Sequence, residues 1–354
     1  MEQTFWPSKP RDSRKNSDKA IELINDTILK ASPSSEYTTS NALVPLTIFD
    51  RAASDLHVPI LYAFRAPLPS NEAIKEGLSK AFAHYPHLAG RFTTDDQGRI
   101  CIILSNAGVR VIETYVPITL AEQLPFTPAS EVGKNLLPPL EGVEELLQVQ
   151  LNRYACDGLV LGLSSHHRVA DGQSMRYFTV SWANLVRGLD IEPLPYHHRD
   201  AVSVPRNPPK SEFDHPSMDS KQRCAKEANA TALFECILSH MWKKMTQAQG
   251  LEQDEFTQVR VAVNGRDRMN PPVPKEYFGN LVLWAYPRLR VKDLLQESHA
   301  YVAKAIHEAV AKIDHEYFQS FIDFGELWKG KEGELVVMVL EAGNAACPNL
   351  EVDS

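Results

Sequence analysis

The sequence predicts a mixed α/β or α+β protein in two domains, and three observations carry that prediction. The chain has 354 residues, 43% of them hydrophobic, enough to fill one large core or two ordinary ones. Apolar residues with period two alternate along it with apolar residues spaced three and four apart, the marks of strands and helices respectively. Residues 191–226 are rich in proline, charge and histidine and carry almost no periodicity. A connection that long is a functional segment or a domain linker. The expected division is a flexible polar extension over 1–20, an N-terminal domain over 21–190, a crossover linker over 191–226 and a C-terminal domain over 227–354.

Taken in order, Ile21–Leu29 reads as a first strand. Val58–Phe64 is an apolar run with the look of a buried strand. Pro69-Ser70-Asn71 starts a helix, with Ile74, Leu78, Phe82 and Tyr85 at helical spacing, and Pro86 stops it. A turn at Asp95–Gly98 and strands over Ile100–Leu104 and Val109–Tyr115 follow. Residues 117–142, rich in proline and glycine, read as a surface loop. Leu146–Asn152 alternates as a strand with one wet face does, and Cys156-Asp-Gly158 is a hairpin signal before a return strand, Leu159–Ser165. Met175, Phe178, Trp182, Leu185 and Val186 mark one face of a helix ending near Gly188. Beyond the linker come a helix carrying Leu233, Phe234, Ile237, Leu238, Met241 and Trp242, strands at Gln258–Val263 and Leu281–Tyr286, and helices over 291–313 and 315–328.

Composition excludes several classes. The formal charge is −8, which argues against a nucleic-acid binder with a basic face. No apolar run is long enough to span a bilayer. Five scattered cysteines, an odd number with no C-x-x-C pair, indicate neither a zinc knuckle nor a disulfide framework. The sequons Asn25-Asp-Thr27 and Asn229-Ala-Thr231 read as coincidence, because Met1–Ala20 has no apolar core of a signal peptide. The expectation is a cytoplasmic protein with no membrane and no nucleic-acid partner.

Chemistry concentrates between Leu159 and Asn184. A strand delivers His166 and His167, and Asp171-Gly172 opens a helix. An imidazole is the side chain best suited to take a proton near neutral pH. Gly172 would let the backbone turn tightly, while Asp171 could orient the ring or buttress the turn. His166 would face the other side of the strand and reads as structural. For His167, the residues alone support a base and a satisfied structural histidine equally. The same spacing at His215 and Asp219 lies in the linker, without a strand before it or a glycine after it. His197-His198-Arg-Asp200 lacks a third metal ligand. Gly162-Leu-Ser164 lacks the closing glycine of a nucleophile elbow. No phosphate-binding glycine loop is present. Asp323-Phe-Gly325, without the other kinase elements, reads as helix interior.

His167-Arg-Val-Ala-Asp171-Gly172 together with Val263-Asn-Gly-Arg266-Asp-Arg268-Met-Asn-Pro-Pro-Val-Pro-Lys-Glu-Tyr-Phe-Gly279-Asn280 resembles the BAHD family of acyl-CoA-dependent acyltransferases. The runs Pro86–Arg91 and Ser174–Ala183 fit as well, so the likeness covers nearly the whole chain after the extension. Val44–Ala52, Leu194–Asp200, Val204–Pro209, Thr231–Trp242 and Glu316–Gly325 make it similar, within that family, to the grass amine N-hydroxycinnamoyltransferases. Members of that group acylate agmatine, putrescine or aromatic monoamines.

The resemblance implies an α/β fold of two similar domains, each a mixed sheet with covering helices, and a channel between them. It implies a monomer that takes an acyl-CoA and a small-molecule acceptor and needs no cofactor and no metal. His167 would be the general base. Asp171 would be structural, paired with Arg266 in the first instance or Arg268 in the second, with Gly172 and Arg266 completing the frame of the site. Tyr62 matches a substrate contact of hydroxycinnamoyl-using members, and Ile60 stands where shikimate-using relatives carry a serine. An O-acyltransferase acting on shikimate, quinate or another alcohol, and a non-catalytic acyl-CoA binder, are the competing expectations. One departure stands out: relatives carry Asp-Phe-Gly-Trp-Gly near the C-terminus, and Asp323-Phe-Gly-Glu-Leu327 is not that motif. The chain stops at Ser354 where relatives continue, so the sequence leads us to expect a shortened C-terminal domain with an unpaired sheet edge.

Overall fold

The computed structural model describes residues 21–32, 41–125, 131–213, 215, 233–329 and 350–352. The predicted extension, the second half of the linker, Cys224, Cys347 and the sequon at Asn229 lie outside the described residues.

The N-terminal half runs β1 (Glu22–Leu29), β2 (Leu43–Pro45), α1 (Ile48–Ala52), β3 (His57–Phe64), α2 (Asn71–His84), β4 (Arg91–Thr94), β5 (Ile100–Ile103), β6 (Val109–Val116), α3 (Leu120–Gln123), α4 (Glu131–Asn135), β7 (Leu147–Tyr154), β8 (Leu159–His166) and α5 (Gly172–Val186). Its main sheet has the order β1-β6-β7-β8-β3, antiparallel throughout except for the β6–β7 pair. Strands β2, β5 and β4 form a small antiparallel sheet beside it. Helices α2 and α5 cover one face of the main sheet. Leu78, Ala81 and Phe82 of α2 and Met175, Phe178 and Trp182 of α5 pack there onto Val149, Leu151, Leu161 and Leu163. The two helices approach closely at Gly77, where a Cβ would stand 2.5 Å from a Val186 methyl. Ser70 caps α2 by accepting from the Ala73 amide, as the sequence anticipated.

The opposite face is where the strand readings need correction. β7 is buried on both faces, not wet on one. Its polar residues Gln148, Gln150 and Asn152 donate to the carbonyls of Pro139, Asn135 and Leu136. The segment read as a surface loop therefore lies over the sheet, with short helices α3 and α4 and a fully buried Leu136. Gly162 permits this contact, since a Cβ there would stand 2.3 Å from the Leu136 carbonyl oxygen. Alternation alone cannot tell a solvated polar face from one satisfied by a covering loop. β3, expected to be buried, is an edge strand with half-exposed residues.

The C-terminal half contributes α6 (Arg199–Val202), α7 (Leu233–Gln249), β9 (Phe256–Asn264), β10 (Val282–Ala285), β11 (Arg288–Arg290), α8 (Val291–Gln296), α9 (His299–Ala311), α10 (His315–Leu327) and β12 (Leu350–Val352). β10 and β11 pair antiparallel with β9, and β12 pairs parallel with it. The helix predicted over 291–313 is two helices, because Ser298 caps α9 by accepting from the Tyr301 amide. In α7, Leu238 and Trp242 are buried as expected, but Ile237 and Met241 are exposed. The inward stripe is completed instead by Glu235, Ser239 and Thr246, small or polar residues that apolar spacing does not reveal. Asp323 lies inside α10 and is fully buried. Its carboxylate accepts from the Arg206 amide at 2.7 Å, the Lys210 amide at 3.0 Å and Arg206 Nε at 2.5 Å. The first part of the linker is thereby fastened to α10.

The two cores exchange side chains. Phe49 of α1, N-terminal in sequence, packs in the second core with ring centroids 5.9 Å from Phe318 and 5.6 Å from Phe321. Phe278, from the C-terminal half, packs in the first core 5.1 Å from Tyr85. We expect Phe49→Ala to destabilise the protein by about 3–5 kcal/mol, as deletion of a buried aromatic ring does. Urea unfolding is the measurement, and a loss below about 1 kcal/mol would mean that the ring is not anchored in that core.

Candidate active site

The turn from His167 to Ala170 joins β8 to α5, and its backbone is held by groups from both halves. The His167 amide donates to the Leu56 carbonyl at 2.9 Å, and the His167 carbonyl accepts from Asn280 Nδ2 at 2.9 Å. Two residues on, the Val169 carbonyl accepts from Arg199 at 2.6 Å. The His167 ring is half-buried; its Nδ1 is enclosed and has no hydrogen-bond partner. The peptide is thus fixed while the imidazole is left unengaged, the condition a proton acceptor needs.

Asp171 is the N-cap of α5: Oδ1 accepts from the Ser174 amide at 2.9 Å. Arg266 grips the same carboxylate with two nitrogens, at 2.8 and 3.0 Å, and the Leu281 amide adds a bond at 3.1 Å. Arg266 is 0% exposed and Asp171 2%. Further hydrogen bonds offset the burial of such a pair: Arg266 also donates through a terminal nitrogen to Ser174 Oγ and the Tyr277 carbonyl, both at 2.9 Å, while its Nε is buried without a partner. Asp171 is therefore a saturated carboxylate that braces the start of α5, and Arg266 is its partner. Arg268 instead donates to the Val310 and Ile313 carbonyls.

Gly172 needs a different reason from the one the sequence suggested. Its backbone is not left-handed, and a Cβ there would meet nothing within 4 Å, so no tight turn demands it. Beside it, Gln173 bonds Asn264 of β9 and donates to the Lys275 carbonyl, closing the seam between the halves. Tyr62 is not brought to His167. It faces Leu161 across β3 and β8, five positions from the His57–His166 pair, roughly 16 Å along the strand. A cavity of about 340 Å³ between Tyr196–Val204, Met269–Pro274 and α10 contains none of the turn residues.

The other histidines are structural in placement. His166 faces away from His167, against His57 and Phe92, with Nε2 at 3.3 Å from Asp55. Burial, reinforced by His57, pulls it down to about 4. His197, in the first part of the linker, is half-buried and bonds the His84 carbonyl at 2.7 Å. Its ring lies 5.0 Å from that of His87, which is buried with neither nitrogen paired. Burial first, then Arg199, holds His87 well below the ordinary histidine value and sets His197 at about 4. Among the described residues, no group of three or more His, Cys, Asp or Glu side chains could hold a metal ion.

Sequence reasoning missed Asp50, and with it Arg199 and Asn280, the two donors that share its carboxylate and hold the turn's carbonyls. Thr47-x-x-Asp50 is a capping-box pattern at the start of a short helix, and it was the available signal for the first.

Comparison with known proteins gives the family. The sequence pattern of the Transferase family matches residues 19–235 and 220–352. The chain belongs to that family, the BAHD acyltransferases. It is 42% identical to tryptamine hydroxycinnamoyltransferase 2 of Oryza sativa subsp. japonica, over 95% of this chain and 85% of that protein. It is 35% identical to agmatine hydroxycinnamoyltransferase 1 of the same plant, over 88% of this chain and 79% of that one. Among solved structures, vinorine synthase superposes with a TM-score of 0.67 at 20% identity, covering 88% of this chain and 81% of its own. That likeness establishes the shared mixed α/β fold.

Two predictions follow from the charges. Asp171→Ala would strand Arg266 in the interior and should cost about 3–5 kcal/mol, read from the urea midpoint; a change under about 1 kcal/mol would contradict the brace. The depressed histidines set a pH dependence. An unfolded histidine titrates near 6.5, so between that value and about 4 the unfolded chain binds more protons. Stability is complete above pH 6.5 and falls as the pH drops toward 4, by up to about 1.4 kcal/mol per histidine per pH unit. His197→Gln should flatten that slope, and an unchanged slope in unfolding at pH 7.5 against 5.5 would remove His197 from its cause.

Proposed function

We propose that this chain moves an aromatic acyl group, hydroxycinnamoyl or benzoyl, from coenzyme A to a primary amine of the tryptamine, agmatine or putrescine kind, with His167 as general base. The observation that supports it most directly is the His167 peptide, tied by its N–H and its C=O to two distant segments while its ring is left free of hydrogen bonds. The similar rice proteins named for transfer to tryptamine and agmatine support an amine as acceptor.

The amine reacts as the neutral base, since an ammonium has no lone pair. Its nitrogen attacks the thioester carbonyl, and His167 takes the proton as the N–C bond forms. The tetrahedral oxyanion then collapses, the C–S bond breaks, and the departing thiolate takes the proton back from the imidazolium. The products are an amide and free CoA. No residue becomes covalently modified, and the CoA ester is the only co-substrate the proposal requires. A monomer working in the cytoplasm belongs to the same proposal; no helix of the described residues is long and apolar enough to cross a membrane.

The test is mass spectrometry of products from p-coumaroyl-CoA and benzoyl-CoA against amines (tryptamine, agmatine, putrescine) and alcohols (shikimate, quinate). Amides are expected. Esters in place of amides would replace the acceptor class, and CoA-ester binding without turnover would make the protein a binder. His167→Ala should lower thiol release by about 10²–10⁴-fold, the contribution of a general base. Activity within threefold of the parent would reject His167.

A further inference from the structure

The geometry points to Asp50 as a positioning residue for His167, a buried carboxylate that sets the base's place through Asn280 on one side and Arg199 on the other. This inference rests on the reading of His167 as the base.

Asp50 is fully buried, near the start of α1. Its Oδ2 accepts from the Thr47 amide at 2.9 Å, Thr47 Oγ1 at 2.8 Å and Arg199 at 2.6 Å. Its Oδ1 accepts from the Asn280 amide at 3.1 Å and Asn280 Nδ2 at 3.0 Å. Five donors therefore converge on one carboxylate, from segments 149 and 230 residues away in sequence as well as from its own helix cap. A neutral cap has no need of such a site, and an uncompensated buried charge could not remain there.

The second bond of each relay reaches the catalytic turn. An amide NH₂ has two hydrogens and its oxygen has none. With one hydrogen of Asn280 Nδ2 on Asp50, the other falls on the His167 carbonyl. The flipped amide would set its oxygen against both a carboxylate and a carbonyl, so Asp50 decides which way Asn280 faces. Arg199 divides its fork in the same manner, one nitrogen on Asp50 and one on the Val169 carbonyl. The third hold on the turn, the Leu56 carbonyl that accepts from the His167 amide, lies six residues after Asp50 on the same short stretch of chain. Two of the three ties on the turn thus lead through hydrogen bonds to one carboxylate. A base must sit within about 0.5 Å of its productive place, and a misplacement of about 1 Å can cost roughly 10²-fold.

Asp50→Asn would set an N–H against donors in either orientation. It should lower kcat by about 10²-fold while KM for the CoA ester stays within about threefold. Asn280→Ala removes a single relay, is milder to the fold, and should lower kcat about tenfold. The decisive measurement is the Asn280→Ala substitution made twice, in the parent and in His167→Ala, with residual amide formation followed by mass spectrometry at high enzyme concentration. A residue that acts through His167 loses its effect once His167 is gone, so the two single losses should not multiply. An equal fold-loss in both backgrounds, a loss carried by KM, or parental kcat in a variant that melts like the parent would each overturn the inference. Residual activity too low to detect in His167→Ala leaves the kcat-against-KM split of Asn280→Ala as the deciding result. Parental turnover abolished by His167→Ala but indifferent to Asn280→Ala would reject Asp50 alone, whereas a parent without turnover rejects the acyl-transfer reading itself.

Discussion

A guanidinium with no exposure and a carboxylate with almost none meet at Arg266 and Asp171, and little else in this fold could stay where it is without them. Stripping both ions of water is expensive, and their attraction offsets that only when the geometry is close to ideal and further hydrogen bonds accompany it. That demand reaches outward. It requires Ser174, the first turn of α5, the Tyr277 and Gly279 carbonyls and the Leu281 amide to sit in one arrangement. Because the two residues stand 95 apart in sequence, the pair also joins the two halves of the molecule beside the histidine turn.

The same solution recurs. Asp50, Asp171 and Asp323 are all buried, all carry several bonds, and all tie together segments remote in the chain. Against these saturated carboxylates, His167 is the contrast. Its peptide is as firmly held as theirs, yet its ring has an enclosed nitrogen with no partner. The protein spends its acids on fixing positions and leaves an imidazole free. A reaction in which a neutral base takes one proton and returns it suits that division, since fixed surroundings need not reorganise as charge develops on the ring.

The sequence disclosed what is local. The caps of α2 and α5, the hairpin at Asp157, the helix face of Met175, Phe178 and Trp182, and the motif around His167 are all written in short runs of residues. The pairing of Asp171 with Arg266 was legible only through likeness to a family, because nothing in the spacing of either residue names the other. Three kinds of feature stayed hidden. Buried polar faces such as Gln148–Gln150–Asn152 read as wet, because their partners are carbonyls of a loop elsewhere in the chain. Inward small polar residues such as Ser239 and Thr246 break the apolar stripe that marks a helix face. Asp50 went unremarked within the Val44–Ala52 run and Asn280 stood only as a motif residue, since their meaning arises only when chain segments 230 residues apart touch. Gly172 is the reverse case, a residue whose sequence rationale was plausible and whose surroundings do not ask for it.

The reciprocal loan of Phe49 and Phe278 changes what counts as a domain here. By sequence, a cut in the crossover linker divides the chain into two halves. By packing, the first piece would keep a phenylalanine that belongs in the second core and lose the one that fills its own. The units that could be exchanged between family members are therefore not continuous stretches of chain. A hybrid built to alter acceptor choice would have to transfer α1 together with the C-terminal half, and carry the Tyr277–Asn280 segment with the N-terminal one.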